Sequence, residues 1–334
     1  MKKRQFFKFC IFFMIGLFIL KWVYDIFGGQ EAIDLIKKKK FDLYLLFFAH
    51  IPTLYLDSLA WYVLFKKNNK ISLFWSFIIT WISQSSGKFL PTGNITGEFV
   101  RVYLGTQKGL TLHASSSTTF ADLILATFSL FLMAFFSFIF LITNYSDLID
   151  SKNSMYIYLS LSLILFGCIF FYWFVRKRLL IYSLKKFGKI FKIQLQKKNL
   201  NFLIKLDFSL YQLSKNKFKV LNALGIRLLG WLAGAFEIYV FLFIIGVDAS
   251  VLDVVIIESF SGIIRAIAFF IPAGLGVQEL AFVMIGEYVG FGSSVSFSMA
   301  LGRRIREILV GFPAIIAWVM IFKKDKKKGS SIIS

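Results

Sequence analysis

The chain has 334 residues, is 57% hydrophobic with 42 Phe, and has a mean hydropathy of +0.72. Soluble domains are about 45–50% apolar, so this composition excludes an ordinary soluble fold. The formal net charge of +21 lies mostly beside apolar runs. That placement fits membrane orientation and anionic lipid contact, and argues against a nucleic-acid partner.

The first apolar run, Phe6 to Leu20, follows Met-Lys-Lys-Arg. It lacks an A-x-A-like cleavage site and leads into further apolar segments, so it reads as a retained helix over 6–27. Further helices are predicted over 41–65, 71–90, 115–143, 155–175, 221–245, 254–271 and 293–322, with shorter pieces at 97–104 and 277–290. The length suffices for about seven or eight spans of ~20 residues. Residues 1–334 are expected to form a single integral membrane domain. Cys10 and Cys168 sit in separate apolar runs and read as core thiols. His50 and His113 are isolated, without metal-ligand spacing, so neither a metal nor a cofactor is expected.

Flanking charge sets the orientation. The N-terminus, the 66–70 loop, the stretch 176–219 with 13 Lys/Arg and one acid, and the lysine-rich tail should all be cytoplasmic. Residues 176–220 mix these cations with apolar positions and read either as an amphipathic helix on the inner leaflet or as a solvated loop. The loops 144–154 and 246–253 carry Asp147, Asp150, Asp248 and Asp253 and should face outward. This assignment balances only if segments 71–100 and 254–292 turn back instead of crossing. Lys37 to Lys40 then falls on the outer side, where a short interfacial helix would hold it.

Both segments that must turn back carry Pro-x-Gly-x-x-x-x-Glu. One copy runs from Pro91 through Gly93 and Asn94 to Glu98, and the other from Pro272 through Gly274, Gly276 and Gln278 to Glu279. Two of the four prolines sit here. Breaks in corresponding positions of two halves point to a transporter's binding site. The expected fold is therefore all-α: a polytopic helical membrane protein with two inverted re-entrant helix hairpins.

Glycines beside a helix start let unpaired N–H groups approach an anion. Lys88, Arg101 and Arg265, together with Arg303, Arg304 or Arg306, would add positive charge; Glu258 precedes the second break. Glu98 and Glu279 would bind an ammonium group or carry a proton, or would only complement their helix dipoles. Arg303 and Glu307, four residues apart, are expected to pair within one helix. Asp122 and Arg303 each lie 31 residues after a motif proline, an offset that reads as repeat symmetry. Arg227 and Glu237 are charges at membrane depth that call for interior partners. No nucleotide-sugar D-x-D, H-E-x-x-H, G-x-S-x-G or Walker A motif is present, so no catalytic residue is assigned.

The stretch from Ile257-Glu258-Ser259 to Gln278-Glu279, with Arg303-Arg304-Ile305-Arg306-Glu307, Gly311-Phe312-Pro313 and Trp318, resembles the flippase-like transmembrane region of lysylphosphatidylglycerol synthases. Pro91 to Glu98, Arg101 and Asp122 fit the same pattern, and the hopanoid-biosynthesis-associated membrane proteins look most similar. The resemblance implies a lipid translocase without the aminoacyl-transferring domain, in a bacterial cytoplasmic membrane. It implies membrane lipids as partners and keeps a transferase acting on a lipid acceptor open as an alternative; the basic 176–219 surface leaves a third reading, a non-catalytic partner of lipid-biosynthesis enzymes.

Overall fold

A computed structural model of the chain describes residues 3–89, 94–144, 197–268 and 271–329, with isolated positions between 162 and 186. Most of the predicted span 155–175 and of 176–196, with Cys168, Pro91 and Gly93, lies outside the described residues. The described residues form helices with no named strand: α1 (Lys3–Ile26), α2 (Gly29–Lys38), α3 (Leu45–Val63), α4 (Leu73–Phe89), α5 (Asn94–Gln107), α6 (Leu112–Asn144), α7 (Lys197–Lys215), α8 (Lys217–Ile245), α9 (Val251–Ile267), α10 (Val277–Tyr288) and α11 (Ser293–Gly329). A 3₁₀ turn, Pro272–Gly274, joins α9 to α10. The chain is an all-α polytopic membrane protein.

Three described helices are long and apolar enough to span a membrane: Leu112–Thr143, Lys217–Ile245 and Ser293–Phe322. A fourth candidate is the pair Cys10–Ile26 and Gly29–Lys38, bent by 82°. That bend is made by Gly28 at φ 71°, a left-handed conformation that glycine adopts without steric cost. α2 is the short helix expected around Lys37, and Ser294 Oγ donates to Glu31 at 2.5 Å to tie it to the start of α11. α4 and α9 have 17 residues each, about 25 Å of helix, less than the ~30 Å apolar layer.

Backbone contacts divide the chain into two compact units. The first comprises residues 1–54, 78–101 and 232–334; the second comprises 55–77 and 102–231. In the first unit, α4 and α5 fold back on one another. A Cβ placed on Gly97 would lie 2.6 Å from the Ser83 carbonyl and 3.4 Å from Gly87 Cα. α9 and α10 form the second hairpin around the Pro272–Gly274 turn, and α1 crosses that turn closely. A Cβ on Gly276 would meet Gly16 O at 2.5 Å, and one on Gly16 would meet Leu275 O at 3.0 Å. Small residues at such crossings let helix backbones pack in lipid, where no hydrophobic force drives association. Val23, Ala32, Val283 and Phe297 form a buried cluster beside the crossing.

The second unit is built from the second half of α3, the start of α4, the end of α5, all of α6 and α7, and the first half of α8. Leu64, Ala121, Leu125, Leu206, Leu210, Leu213 and Ala223 form its core. The described part of the basic stretch, α7, is helical and packs on α6, with Ser209 and His113 joined at 2.8 Å.

Gly97→Val should destabilise the protein by about 1–3 kcal/mol, because overpacking at a closed backbone approach forces α5 off α4. Gly225→Ala, where an added Cβ meets nothing within 4 Å, should be neutral or slightly stabilising. Thermal unfolding in detergent checks both; equal stability of Gly97→Val and wild type would refute the close packing.

Candidate functional site

The second motif is a sharply bent turn held by side chains from outside it. Ala273 has φ 54°, Gly274 φ 61° and Gly276 φ 75°. The left-handed conformation costs a non-glycine residue about 1–2 kcal/mol, so Ala273 persists because its surroundings hold it. Arg304 Nη1 donates to the Ala273 carbonyl at 2.8 Å, and Arg304 Nε donates to Glu279 Oε1 at 2.6 Å. Gly276 caps α10 without a side-chain hydrogen bond, so the first N–H groups of α10 point into the turn unsatisfied by the helix.

One turn of α11 sends charges in four directions. At 100° per residue, Arg303, Arg304, Arg306 and Glu307 fan out over an arc of about 160°, and the length of their side chains carries them to different neighbouring helices. Arg303 pairs with Glu258 on α9 through both carboxylate oxygens and lies with its guanidinium carbon 5.1 Å from the Phe282 ring centroid. Arg304 reaches Glu279 on α10 and Glu307, the latter at 3.0 Å. Arg306 meets Glu237 on α8 at 3.2 Å and His50 on α3 at 2.8 Å. Glu307 meets Lys88, at the end of α4, at 2.9 Å.

This corrects the expected Arg303–Glu307 pair. Glu258 across the helix interface takes Arg303, while Glu307 is shared by Arg304 and Lys88. Arg227 and Glu237, expected to have interior partners, have them: Arg227 joins Asp122 and Asp57 in the second unit, and Glu237 joins Arg306, His50 and Thr53 in the first. Asp122 and Arg303, which share a sequence offset, differ in both partner and unit. Sequence reasoning passed over His50 as an isolated residue. Its signal was weak: one imidazole in an apolar run, two residues before Pro52 in α3.

His50 Nδ1 is 2.8 Å from Glu237 Oε1 and 2.8 Å from Arg306 Nη1. One nitrogen cannot donate to the carboxylate and accept from the guanidinium together. Which of the two contacts His50 Nδ1 makes as a hydrogen bond therefore depends on the imidazole tautomer.

The cluster holds five cations, Lys88, Arg265, Arg303, Arg304 and Arg306, and four carboxylates, Glu237, Glu258, Glu279 and Glu307. Four of the cations are paired. Arg265, on α9, has no hydrogen bond or ion pair among the described residues, although Glu258, Glu307, Arg303 and Arg306 all act on it electrostatically. Its Cγ lies 3.6 Å from where a Gly274 Cβ would be, so it borders the turn. Next to it, Gln278 is 1% exposed, and neither amide atom has a hydrogen-bond partner among the described residues. Glu279 Oε2 and Arg304 Nη2 are likewise buried without partners.

The first motif is plainer. Glu98 Oε2 and Arg101 Nη1 lie 3.6 Å apart on α5, and Arg101 is 2% exposed. Asn94 begins α5, while Pro91 and Gly93 lie outside the described residues.

Removing Arg303 strands Glu258, so Arg303→Ala should cost about 3–5 kcal/mol, while Arg303→Met with Glu258→Gln should recover most of the loss. Thermal unfolding of the two variants is the check, and equal losses would show that burial of an unpaired charge is not the cause.

The comparisons with known proteins bear on this geometry. No curated protein and no solved structure gives a match. The family model for the lysylphosphatidylglycerol synthase transmembrane region matches residues 7–314, a span that contains both motifs and the whole ion-pair cluster. The chain belongs to the lysylphosphatidylglycerol synthase transmembrane-region family.

Proposed function

We propose that this protein moves a lipid head group across the membrane, with the head-group phosphate bound between Arg265 and the start of α10. The observation that carries the reading is the charge balance of the cluster: five cations against four carboxylates, with Arg265 the cation left without an ion pair among the described residues. An unpaired charge at membrane depth is costly, and an arriving anion would offset that cost. The uncapped first turn of α10 adds N–H donors and a positive dipole end. Gln278 supplies an amide whose hydrogen-bonding capacity is unspent within the described protein. Glu279 Oε2 offers an acceptor for a head-group ammonium or hydroxyl. Lys88, Arg303, Arg304 and Arg306 then act mainly by holding the turn and the helices around it, since carboxylates already occupy them. Glu258 does the same through Arg303. Glu98 and Arg101 on the first hairpin would serve the head group from the other leaflet. The His50–Glu237–Arg306 contact is where a coupling proton would be held.

The test is transfer of a head-group-labelled phosphatidylglycerol between leaflets of proteoliposomes. Arg265→Gln and Gln278→Leu should each slow transfer at least about tenfold, the loss of one charge-assisted or one buried hydrogen bond. Glu98→Gln and Glu279→Gln should also slow it. If wild-type protein moves no labelled lipid at any pH tried, or if Arg265→Gln transfers at the wild-type rate, the reading fails.

The membrane arrangement that accompanies this proposal has the α4–α5 hairpin entering from the cytoplasmic side and the α9–α10 hairpin from the outside. Lys67→Cys and Gln107→Cys, which flank the first hairpin, should react only with cytoplasmic thiol reagent. Asp248→Cys and Gly292→Cys, which flank the second, should react only from outside. Any of the four labelling from the opposite side would dismantle the opposed arrangement.

A further inference from the structure

The second unit contains a cavity of about 500 Å³ that the head-group site does not use. Leu125 and Phe128 of α6, Leu210 of α7 and Leu224 of α8 line it, and its inner wall belongs to the buried core of that unit. Its volume is within the ~300–1,000 Å³ range of small-molecule sites. Among the described residues, its only charged lining residues are Lys215, the last residue of α7, and Lys217, the first residue of α8. Asn216 alone separates them, and its Oδ1 accepts the Lys219 N–H at 3.2 Å to cap α8. Lys219 is committed elsewhere, donating from Nζ to the Phe65 carbonyl at 2.6 Å. Lys215 Nζ stands 4.7 Å from the Tyr211 ring centroid, which holds it over the rim, and neither Lys215 nor Lys217 pairs with a carboxylate among the described residues.

The position of the rim matters as much as its charge. α8 is a membrane-length apolar helix that begins at Lys217, so the lysines sit where that helix leaves the apolar layer, while the cavity walls run alongside its first two turns. Cations at the water boundary above an apolar cavity match a phospholipid: phosphate at the interface, acyl chain below. The rim also lies in the most basic stretch of the chain, 13 Lys/Arg against one acid, as expected for attraction of anionic lipid.

We infer that this cavity binds one anionic phospholipid, with an acyl chain between α6, α7 and α8 and its phosphate on Lys215 and Lys217. The site is separate from the transferred head group, so it survives or fails independently of the translocase reading.

The test is native mass spectrometry of the purified full-length protein with lysophosphatidylglycerol and, in parallel, lysophosphatidylcholine at equal concentration. Each probe has one chain, and only the first has a net negative head group. The protein should retain one lysophosphatidylglycerol, at least about fivefold in preference to lysophosphatidylcholine. Lys215→Gln with Lys217→Gln should lower that retention at least about fivefold. Leu221→Trp, at a 65% exposed position on the cavity wall, should lower it comparably by filling the mouth. These positions are at the surface of the chain, and unchanged unfolding temperatures would confirm intact folds. Equal retention of both lipids overturns the proposal. So does retention unchanged in the lysine variant. Loss in the lysine variant but not in Leu221→Trp places the lipid on the surface and overturns the cavity.

Discussion

A single helical turn, Arg303 to Glu307 on α11, organises the first unit. From it Arg303 reaches α9, Arg304 reaches α10 and the Pro272–Gly274 turn, Arg306 reaches α8 and α3, and Glu307 reaches α4. In lipid the hydrophobic effect does little to choose one helix arrangement over another. Charges buried at that depth do choose, because each misplaced partner leaves an ion without its counter-ion, at a cost of several kcal/mol. The pairs need not add net stability to have this effect. They penalise the alternatives, and so they fix which helices meet and at what height.

That scaffold explains how a broken helix can persist. Pro272 ends the preceding helical pattern, Ala273 takes a left-handed conformation, and three residues of the turn have positive φ. Arg304 holds the turn from both ends, at the Ala273 carbonyl and at Glu279, while α1 closes over it through the Gly16–Gly276 crossing. The strain is thus held in place from three elements. What remains inside is a buried helix start, an amide with spare hydrogen-bonding capacity and an arginine without an ion pair among the described residues. These three features are what the proposed head-group site is built on, and the family match adds a membrane, lipid-related setting.

The second unit applies the same physics with a different balance. Arg227 lies between Asp122 and Asp57, so the charged group there joins α8 to α6 and to the end of α3. Its leucine-rich core lies beside the buried hydroxyls of Ser115 to Thr119 and the buried Asp207, and α7 lies on α6 with its basic end at the start of α8. The two units therefore carry different chemistry: excess positive charge around a strained turn in one, an apolar cavity rimmed by lysines in the other.

Much of this was legible in the residues. Apolar run length and flanking charge located α1, α3, α6, α8 and α11, because burial in lipid demands long uninterrupted hydrophobic stretches. The Pro-x-Gly-x-x-x-x-Glu copies located both breaks, because proline and glycine act on the backbone locally. The partners of the charges were not legible. Sequence proximity favoured Arg303 with Glu307, whereas the folded chain gives Arg303 to Glu258, 45 residues away, and brings His50 to Glu237 across 187 residues. Local rules describe what one helix can do alone. Which carboxylate meets which guanidinium depends on how helices cross, and only the tertiary structure decides that. For the same reason Arg265 looked like one cation among several in the sequence, and only the count of completed pairs around it set it apart.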